Sequence, residues 1–546
     1  MKNVSNQQFK NLAVMVDCSR NAVRTIETLK TFIKQIAKMG YTGIWLYMED
    51  VYEIPEEPYF GYKRGRYSQK ELQEITSYAK TLGIKCIPAI QTLAHLNGIT
   101  RWRRFASNVI DTDDILLADE EETYALIEKM FASLRNCFDG EEINIGLDEA
   151  HRVGFGKYFD KHGYTDRAEI IVRHLQKVVD IAKKYGFTKP IMWNDMFVRL
   201  VNKGEYLTAQ KAEVPQEIMQ MIPENITLAC WNYYSMDEKF YENMLAMQQC
   251  FQRPLYYTSG AITWLGITPM NEYSIKQNTA AIKACKKKGV ENYTVAIWGD
   301  DGAECSLFAS LPTLAYVAAK ANGGKNYKQN FQEITGMAFD KFLRLDTPNE
   351  ATEPAEMFAF SQSSRYMLYN DPLQGLYDSQ VTTGDSEKFK TIANKLHTQT
   401  KNETWGYLFK TQEMLCRTLY YKYELTTKTR KAYQDHDIKA LEKIVEHDYK
   451  MVLKYLNQFY AAFRYQWYKE NKPYGFEVQD ARLGGLMQRL KNARQILKDY
   501  VNGKLDQIPE LEEEVLSVVC DEKMNGKGVD ARTVKEVVTA NVFSHR

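Results

Sequence analysis

The chain has 546 residues, of which 44% are hydrophobic and 26% are charged, a balance typical of soluble globular proteins with more than one domain. Its net charge of +1 provides no general attraction for nucleic acid or for an anionic membrane, so we expect neither as a partner. No apolar run approaches the length of a membrane span, and residues 1–10 lack the apolar core of a secretory signal.

The cysteines indicate the redox environment. Nine of them are scattered from Cys18 to Cys520 without CxxC spacing. An odd, dispersed set in a large chain is typical of reduced thiols and argues against a disulfide framework or a zinc site. We therefore expect a cytoplasmic protein, and no residue pattern calls for a cofactor.

One phrase recurs along the first part of the chain: a charged amphipathic helix, a glycine, and then an apolar strand. The glycines are Gly40, Gly83, Gly186 and Gly289. A glycine directly after a helix supplies the left-handed residue that ends it. Together with other apolar runs, the phrase predicts eight strands, at residues 13–16, 43–47, 86–90, 143–147, 191–193, 227–230, 254–257 and 295–298.

Eight strands separated mostly by helices over this length predict a (β/α)8 TIM barrel, an α/β fold, which we place at residues 1–325. From about Tyr327 onward the strand-like runs stop and long helical patterns dominate, as at residues 439–462 and 482–502. Residues 326–546 are therefore predicted to form an all-α C-terminal domain. A doubly wound open sheet is the alternative, although no G-x-G-x-x-G loop follows the first strand.

Two adjacent acids, Asp148 and Glu149, end the apolar run of the fourth predicted strand. Carboxylates at the end of a core strand cost desolvation unless they have partners, and this edge of a barrel is where active sites form. Another interpretation is a helix N-terminus, with Asp148 as the cap and Glu149 in the first turn.

The other predicted strands also end in polar or aromatic residues. Four of the eight tryptophans follow four different strands, which would bring them together at the same face as the acids. Indole rings pack on the C–H faces of sugars while carboxylates and amides bind hydroxyls, so the pattern favours a sugar-binding pocket. The candidate residues besides the acids are Arg20, Glu49, His95, Trp193, Trp231, Tyr233, Trp264, Trp298 and Asp300.

The acid pair, Trp193, Trp231 and Trp298-Gly299-Asp300 resemble the family 20 glycoside hydrolases, the β-N-acetylhexosaminidases. The chain is most similar to the small subgroup whose members start directly with the barrel, which includes bacterial exo-hexosaminidases and the hexosaminidase D type. Residues 146–151, 368–373 and 482–486 carry that likeness, so the resemblance covers nearly the whole chain.

The resemblance implies removal of terminal β-linked GlcNAc or GalNAc with retention, one of the exceptions to the two-carboxylate scheme. Glu149 would protonate the leaving oxygen and then activate water. The acetamido oxygen of the substrate would be the nucleophile and give an oxazolinium intermediate. Asp148 would hold the acetamido N–H and stabilise the developing positive charge.

The resemblance also implies roles for the remaining candidates. Trp193, Trp231 and Trp298 would wall the sugar ring and the acetamido group, and Tyr233 or Tyr234 would donate to the acetamido carbonyl. The hydroxyl-binding residues would be Asp300, Arg20 and Glu49, while His95 would support the acids. The chain departs from the larger relatives at Gln91, where they carry an acid, and at residues 10–12, where they carry a sugar-binding arginine.

Two other classes remain open from the residues alone. Asp148, Glu149 and His151 could bind a metal in a metal-dependent barrel hydrolase, although no second histidine cluster follows. A non-catalytic glycan-binding protein would use the same aromatic pocket. The sequence leaves the oligomeric state open and is compatible with a homodimer.

Overall fold

The computed structural model describes residues 9–206, 214–352, 360–518 and 529–530. Cys520 and most of the polar N-terminal segment lie outside these residues. The chain divides into two compact units. Unit 1 comprises Met1–Ala261, Tyr273–Trp298 and Leu311–Met337, and unit 2 comprises Ile262–Glu272, Gly299–Ser310 and Ala338–Arg546.

A closed parallel barrel forms the centre of unit 1. Its strands follow one another around the barrel in chain order, and β1 closes on β8 with Val14 paired to Val295. The TIM barrel prediction is therefore confirmed, and the open-sheet alternative is wrong. Within the described residues the eight strands are β1 (Asn11–Asp17), β2 (Gly43–Tyr47), β3 (Lys85–Ala89), β4 (Glu142–Asn144), β5 (Lys189–Trp193), β6 (Thr227–Trp231), β7 (Leu255–Gly260) and β8 (Asn292–Ile297).

Local sequence signals set the helix ends around the barrel. The first helix, Ile26–Met39, begins after Thr25, whose side chain accepts a hydrogen bond from the Thr28 N–H. It ends at Gly40, which adopts the left-handed conformation with φ 97°. Gly83, Gly186 and Gly289 also have positive φ, so the predicted helix–glycine–strand phrase is confirmed at all four positions.

Helices that lie wholly or mostly in unit 1 surround the strands, and a small hairpin pairs Ile110–Thr112 with Ile115–Leu116. The helices are Ile26–Met39, Gln69–Thr81, Asn97–Thr100, Arg103–Ala106, Glu121–Arg135, Lys157–His162, Arg167–Lys184, Asp195–Val201, Gln216–Met221, Glu238–Gln249, Asn271–Lys287, Leu311–Ala321 and Tyr327–Thr335.

Unit 2 is predominantly helical, as predicted for the C-terminal part of the chain, and its described residues also pair Phe360–Ser361 with Val529–Asp530. The predicted helix at residues 439–462 is broken by a π-helical turn. Its helices are Asp300–Gly302, Leu307–Ser310, Phe339–Phe342, Leu343–Ala351, Ser363–Tyr369, Asp378–Gln380, Ser386–His397, Gly406–Lys422, Leu425–Gln434, Ile438–Lys443, Ile444–Asp448, Tyr449–Glu470, Phe476–Val501 and Pro509–Glu512.

None of the described helices has the length and apolar character that a membrane crossing requires. The eight cysteines among the described residues are free thiols. The division into domains at residue 325 stays a prediction.

Candidate active site

The chain leaves strand geometry soon after β4 begins. The predicted strand at residues 143–147 is too long, because β4 ends at Asn144, whose side-chain oxygen accepts a hydrogen bond from the Gly146 N–H at 2.8 Å. Gly146 (φ 78°), Leu147 (φ 74°) and Glu149 (φ 52°) are left-handed. A Cβ at Gly146 would clash with the Gln91 side chain, so glycine serves both the turn and this close approach. The turn allows Asp148 and Glu149 to face the same histidine.

Asp148 is buried and has two side-chain partners. Gln91 Nε2 donates to Asp148 Oδ1 at 2.7 Å, and His95 Nε2 lies 3.1 Å from Asp148 Oδ2. Burial alone would raise the pKa of Asp148, but the charge and hydrogen bond of His95 and the bond from Gln91 together hold that pKa below its ordinary value. Asp148 is therefore an ionised carboxylate near neutral pH.

Glu149 lies beside the same histidine but is more accessible. Its carboxylate oxygen Oε2 is 3.6 Å from His95 Nε2, and its side chain is 40% exposed. Its backbone N–H donates to Asp195 Oδ2 at 3.1 Å. The helix N-terminus interpretation of the acid pair is wrong, because the next described helix begins at Lys157. Glu149 thus presents its carboxyl group to an incoming ligand.

Asp195 is a third acid at this face, at the start of the helix after β5, and it is fully buried. Burial, followed by the nearby charges of Asp148 and Glu149, raises the pKa of Asp195 to about 7. Arg199 Nε lies 3.4 Å from Asp195 Oδ2 and opposes this rise. The carboxyl group that accepts the Glu149 N–H therefore changes charge near neutral pH.

His95 connects the two acids from the loop after β3. It is left-handed, with φ 57°, and its backbone N–H donates to Asp114 Oδ2 at 3.0 Å. Burial lowers the pKa of His95, but the charge and hydrogen bond of Asp148 outweigh it and raise the pKa to about 10. His95 is therefore a cation at neutral pH, paired with Asp148.

A polar network continues from Gln91 to the first strand. Gln91 Nε2 donates to the Tyr47 hydroxyl at 2.8 Å, and that hydroxyl donates to Glu49 Oε1 at 3.1 Å. Arg20 lies 3.4 Å from Glu49 and 3.0 Å from Asp17. Burial raises the pKa of Glu49 to about 6 despite the opposing charge of Arg20. We call the set Arg20, Tyr47, Glu49, Gln91, His95 and Asp148 the polar network.

Aromatic rings border this network. The ring of Trp298 lies edge-on to Tyr47 at 4.8 Å and 6.3 Å from Trp193, and the Arg20 guanidinium sits 5.0 Å from its centroid. Trp193 in turn lies 6.3 Å from Trp45 and is 1% exposed. Three of the predicted residues, Arg20, Trp193 and Trp298, are thus brought together.

Trp231 and Tyr233 extend the same wall. Their rings stack at 5.5 Å, and the Trp298 indole N–H donates to the Tyr233 hydroxyl at 3.0 Å. Tyr206 supports Trp231 from behind: its ring lies 4.6 Å away, and its hydroxyl accepts from the Trp231 N–H at 2.8 Å and donates to the Trp231 carbonyl at 3.0 Å. The wall is therefore held by both stacking and main-chain hydrogen bonds.

Two predicted residues belong to unit 2. Trp264 is buried, whereas Asp300 is exposed and begins the short helix Asp300–Gly302. Their sugar-binding roles stay predictions.

Four further residues were not among the predicted site residues. Tyr47, Gln91 and Asp195 lie at or just after strand ends, a position that marks polar residues as site candidates. No sequence pattern marks Tyr206.

The residues of the metal-binding alternative are not arranged as ligands. Across the described residues, no group of three or more His, Cys, Asp and Glu side chains could hold a metal ion. His151 is exposed, and its backbone N–H donates to the Glu149 carbonyl at 2.6 Å. Partial desolvation of the ring, followed by the nearby positive charge of Arg199, lowers the pKa of His151.

The barrel part of the chain matches a known family. Residues 9–303, more than half of the chain, match the family model described as glycosyl hydrolase family 20, catalytic domain. The chain belongs to glycosyl hydrolase family 20. Residues 340–530 match the model described as glycoside hydrolase 20C C-terminal domain.

Individual relatives of this family 20 protein are distant. Hexosaminidase D of Bos taurus is 22% identical over 248 residues, 43% of this chain and 66% of that protein. Hexosaminidase D of Homo sapiens is 22% identical over 222 residues, 39% and 42% of the two chains. The chain therefore spans less than two thirds of each. The solved GH20 exo-β-N-acetylglucosaminidase of Vibrio harveyi is 15% identical, with a TM-score of 0.44 over 60% of this chain and 58% of that one.

Proposed function

We propose that the protein is an exo-β-N-acetylhexosaminidase that removes non-reducing terminal GlcNAc or GalNAc from oligosaccharides or glycoconjugates by substrate-assisted retaining hydrolysis. The observation that carries the proposal is the pairing of an ionised, buried Asp148 with a more accessible Glu149 beside an aromatic wall. Membership of family 20 and similarity to proteins named hexosaminidase support the same conclusion.

Glu149 is the proposed general acid. In the first step its proton passes to the leaving glycosidic oxygen while the substrate's acetamido oxygen attacks the anomeric carbon, so the C–O bond breaks as the ring of an oxazolinium ion closes. In the second step the carboxylate removes a proton from water, which opens that ring with overall retention. The partial exposure of Glu149 suits both the sugar oxygen and the incoming water.

Asp148 is the proposed partner of the acetamido N–H. Its carboxylate is held by Gln91 and His95 before any ligand arrives, so little reorganisation is needed as positive charge develops on the oxazolinium ring. Its depressed pKa keeps the negative charge available across the neutral range.

The remaining residues would bind the sugar. Trp231 and Trp298, which are partly exposed, would provide ring faces and edges for the pyranose and the acetamido methyl group, and the buried Trp193 would complete this wall by packing against Trp298. Tyr233 is the proposed donor to the acetamido carbonyl. Arg20 and Glu49 would bind O3 and O4, Asp300 would bind O4 or O6, and Trp264 would add a further aromatic surface.

The proposal places this activity in a cytoplasmic protein with a catalytic barrel at residues 1–325, a helical domain at residues 326–546 and no cofactor. The free thiols among the described residues support a reducing location.

A panel of aryl β-glycosides tests the function. We expect turnover of the N-acetylglucosaminide or N-acetylgalactosaminide and none of the matched glucoside or glucosaminide, because only the acetamido group supplies the nucleophile. A thiazoline analogue of the intermediate should inhibit much more strongly than free GlcNAc. Equal turnover without the acetamido group would contradict the mechanism. Activity that EDTA abolishes and metal restores would favour the metal-dependent class, and binding without turnover would favour a glycan-binding protein.

A further inference from the structure

A second group of aromatic rings lies on the loops that follow β2 and β3. Tyr59 and Tyr62 come from the first loop and Trp102 from the second, and their ring centroids are 5.4 to 5.9 Å apart. Tyr59 is 46% exposed and Tyr62 is 41% exposed. These loops leave the carboxyl ends of their strands, the end of the barrel that also bears Asp148 and Glu149. We call Tyr59, Tyr62 and Trp102 the outer aromatic cluster.

The two loops have a hydrophobic core that does not include the rings of the outer aromatic cluster. A separate layer beneath them is fully buried: Phe60 contacts Tyr52 at 5.1 Å and Phe105 at 6.5 Å. Within the described residues the Trp102 indole N–H has no hydrogen-bond partner. The buried layer therefore supplies the core of the two loops, and the outer aromatic cluster adds a solvent-facing surface whose stacking area is only partly used.

Charged contacts hold the two loops together. Arg104, two residues after Trp102, donates to the buried carboxylate of Glu57 at 2.8 Å, and Lys129 donates to the same oxygen at 2.7 Å. A carboxylate that is buried and paired with two cations is costly to separate from them. The outer aromatic cluster is therefore a preformed surface, which reduces the entropy lost when a ligand binds.

Both loops that carry the cluster pack against Asp50. Gly61, between Tyr59 and Tyr62, lies so close to the Asp50 carbonyl oxygen that a Cβ would clash with it, and Gly98 of the other loop lies equally close to the Asp50 carboxylate. Asp50 is fully buried and directly follows Glu49. Both loops thus meet at the residue next to a member of the polar network.

We propose that the outer aromatic cluster binds the sugar on the leaving-group side of the bond that is cleaved. This inference rests on the proposed exo-hexosaminidase activity and assigns a leaving-group site to it. A sugar offers C–H faces that stack on indole and phenol rings, and hydroxyls that need donors at the edge. Arg101 and Lys63 are the nearest such donors: the Arg101 guanidinium lies over one face of the Trp102 ring, 5.2 Å from its centroid, and the Lys63 ammonium lies over one face of the Tyr62 ring at 5.4 Å. A sugar would stack on the ring surface that these cations leave open.

A glycan is the occupant that this position favours. A chain whose terminal sugar sits beside Asp148 must continue outward from the same end of the barrel, and the loops that carry the outer aromatic cluster leave that end and pack against Asp50. The protein is therefore expected to prefer oligosaccharides to glycosides with a small leaving group, since only the former reach the cluster.

The test compares two substrates of the full-length protein. N,N′-diacetylchitobiose has a sugar as its leaving group, and methyl β-N-acetylglucosaminide has a methoxy group. We expect Trp102→Ala to lower kcat/KM on chitobiose about tenfold, the scale of one lost aromatic stacking contact, and to leave kcat/KM on the methyl glycoside within about twofold. Tyr62→Ala should show the same preference more weakly, and Trp102→Phe should restore most of the chitobiose activity.

Tyr185→Ala is the matched control, because Tyr185 is a half-buried aromatic residue that ends the helix Arg167–Lys184 ahead of β5, at the opposite end of the barrel. It should change neither rate. Equal losses on both substrates in Trp102→Ala and Tyr62→Ala, or no loss on either, would overturn the leaving-group site and leave the proposed activity intact. A wild-type protein that cleaves neither substrate would overturn the activity and the site together. If Trp102→Ala does not fold, the more exposed Tyr62 carries the comparison.

Discussion

The two halves of the barrel's carboxyl end are built differently. Strands β1 to β4 lead into the charged residues Arg20, Glu49, His95, Asp148 and Glu149, which hydrogen bonds and ion pairs hold on irregular backbone. Strands β5 to β8 lead into Trp193, Trp231, Tyr233 and Trp298, which ring contacts hold on or next to regular strand. Under the proposed function, Asp148, Glu149 and His95 of the first half would supply the chemistry, and the aromatic second half would supply the shape. Substitutions at these three residues should change mainly kcat, and those in the aromatic half should change mainly KM.

Glu149→Gln should have the largest effect. The amide cannot transfer a proton, so we expect kcat on unactivated substrates to fall by roughly 10²- to 10⁴-fold, with KM little changed. The backbone bond to Asp195 is kept, so circular dichroism should match the wild type. Steady-state kinetics on an oligosaccharide and on an aryl glycoside with a good leaving group would measure this, with a smaller loss on the second. A wild-type rate on both would remove Glu149 from the mechanism.

His95→Gln should have the next largest effect, because His95 contributes a positive charge beside Asp148. We expect kcat to fall about tenfold or more, the scale of a lost charged hydrogen bond. The pKa of His95 is raised to about 10 in the folded protein, against about 6.5 for a free histidine. Its stabilisation is therefore complete below about pH 6.5 and is lost as the pH rises towards 10.

Denaturant midpoints would check this stability. The loss on His95→Gln should be larger at pH 6 than at pH 10, whereas a pH-independent loss would mean that the ion pair does not contribute.

Trp298→Phe tests the aromatic half with a smaller change. Phenylalanine keeps a ring beside Trp193 and Tyr47 but removes the N–H that donates to Tyr233. We expect KM to rise about three- to tenfold, the scale of one hydrogen bond, with kcat nearly constant. Trp45→Phe is the matched control, since among the described residues the Trp45 N–H has no hydrogen-bond partner. A fall in kcat without a change in KM would break the division between the two halves.

Asp195→Asn should have the smallest effect on rate, because the asparagine oxygen still accepts the Glu149 N–H. Its effect should appear in stability. The pKa of Asp195 is about 7 in the folded protein, above about 3.9 in the unfolded chain, so wild-type stability falls as the pH rises between these values. The variant should lose less stability between pH 5 and pH 8. Parallel denaturation curves for the two proteins across that range would contradict the raised pKa.

The comparison also explains what the sequence could predict. The aromatic half follows from apolar runs that end in tryptophan, since these residues stay on or next to regular strands, as Trp193 and Trp231 do. In the charged half the sequence indicates the residue types but not where the backbone leaves strand geometry. Residues 145–147 were predicted as strand because their apolar pattern is strand-like, yet Gly146 and Leu147 are left-handed. That conformation depends on a local hydrogen bond to Asn144 and on the close approach of Gln91, a residue that only the folded chain brings to this turn.

Tyr206 shows a different limit. Its hydroxyl binds the main chain of Trp231, and a main-chain group leaves no trace in the sequence. In the sequence Gln91 is a departure from the larger relatives, and in the structure it bridges Tyr47 and Asp148.

The left-handed backbone at Glu49, His95 and Glu149 has a consequence for engineering. Each of these residues pays about 1 kcal/mol or more to adopt the left-handed conformation. Asparagine and glycine adopt that conformation more easily. Directed evolution that screens only for heat tolerance would therefore select substitutions at positions 49, 95 and 149 early. Such substitutions would lower the activity. Libraries built for thermostability should keep these three codons unchanged.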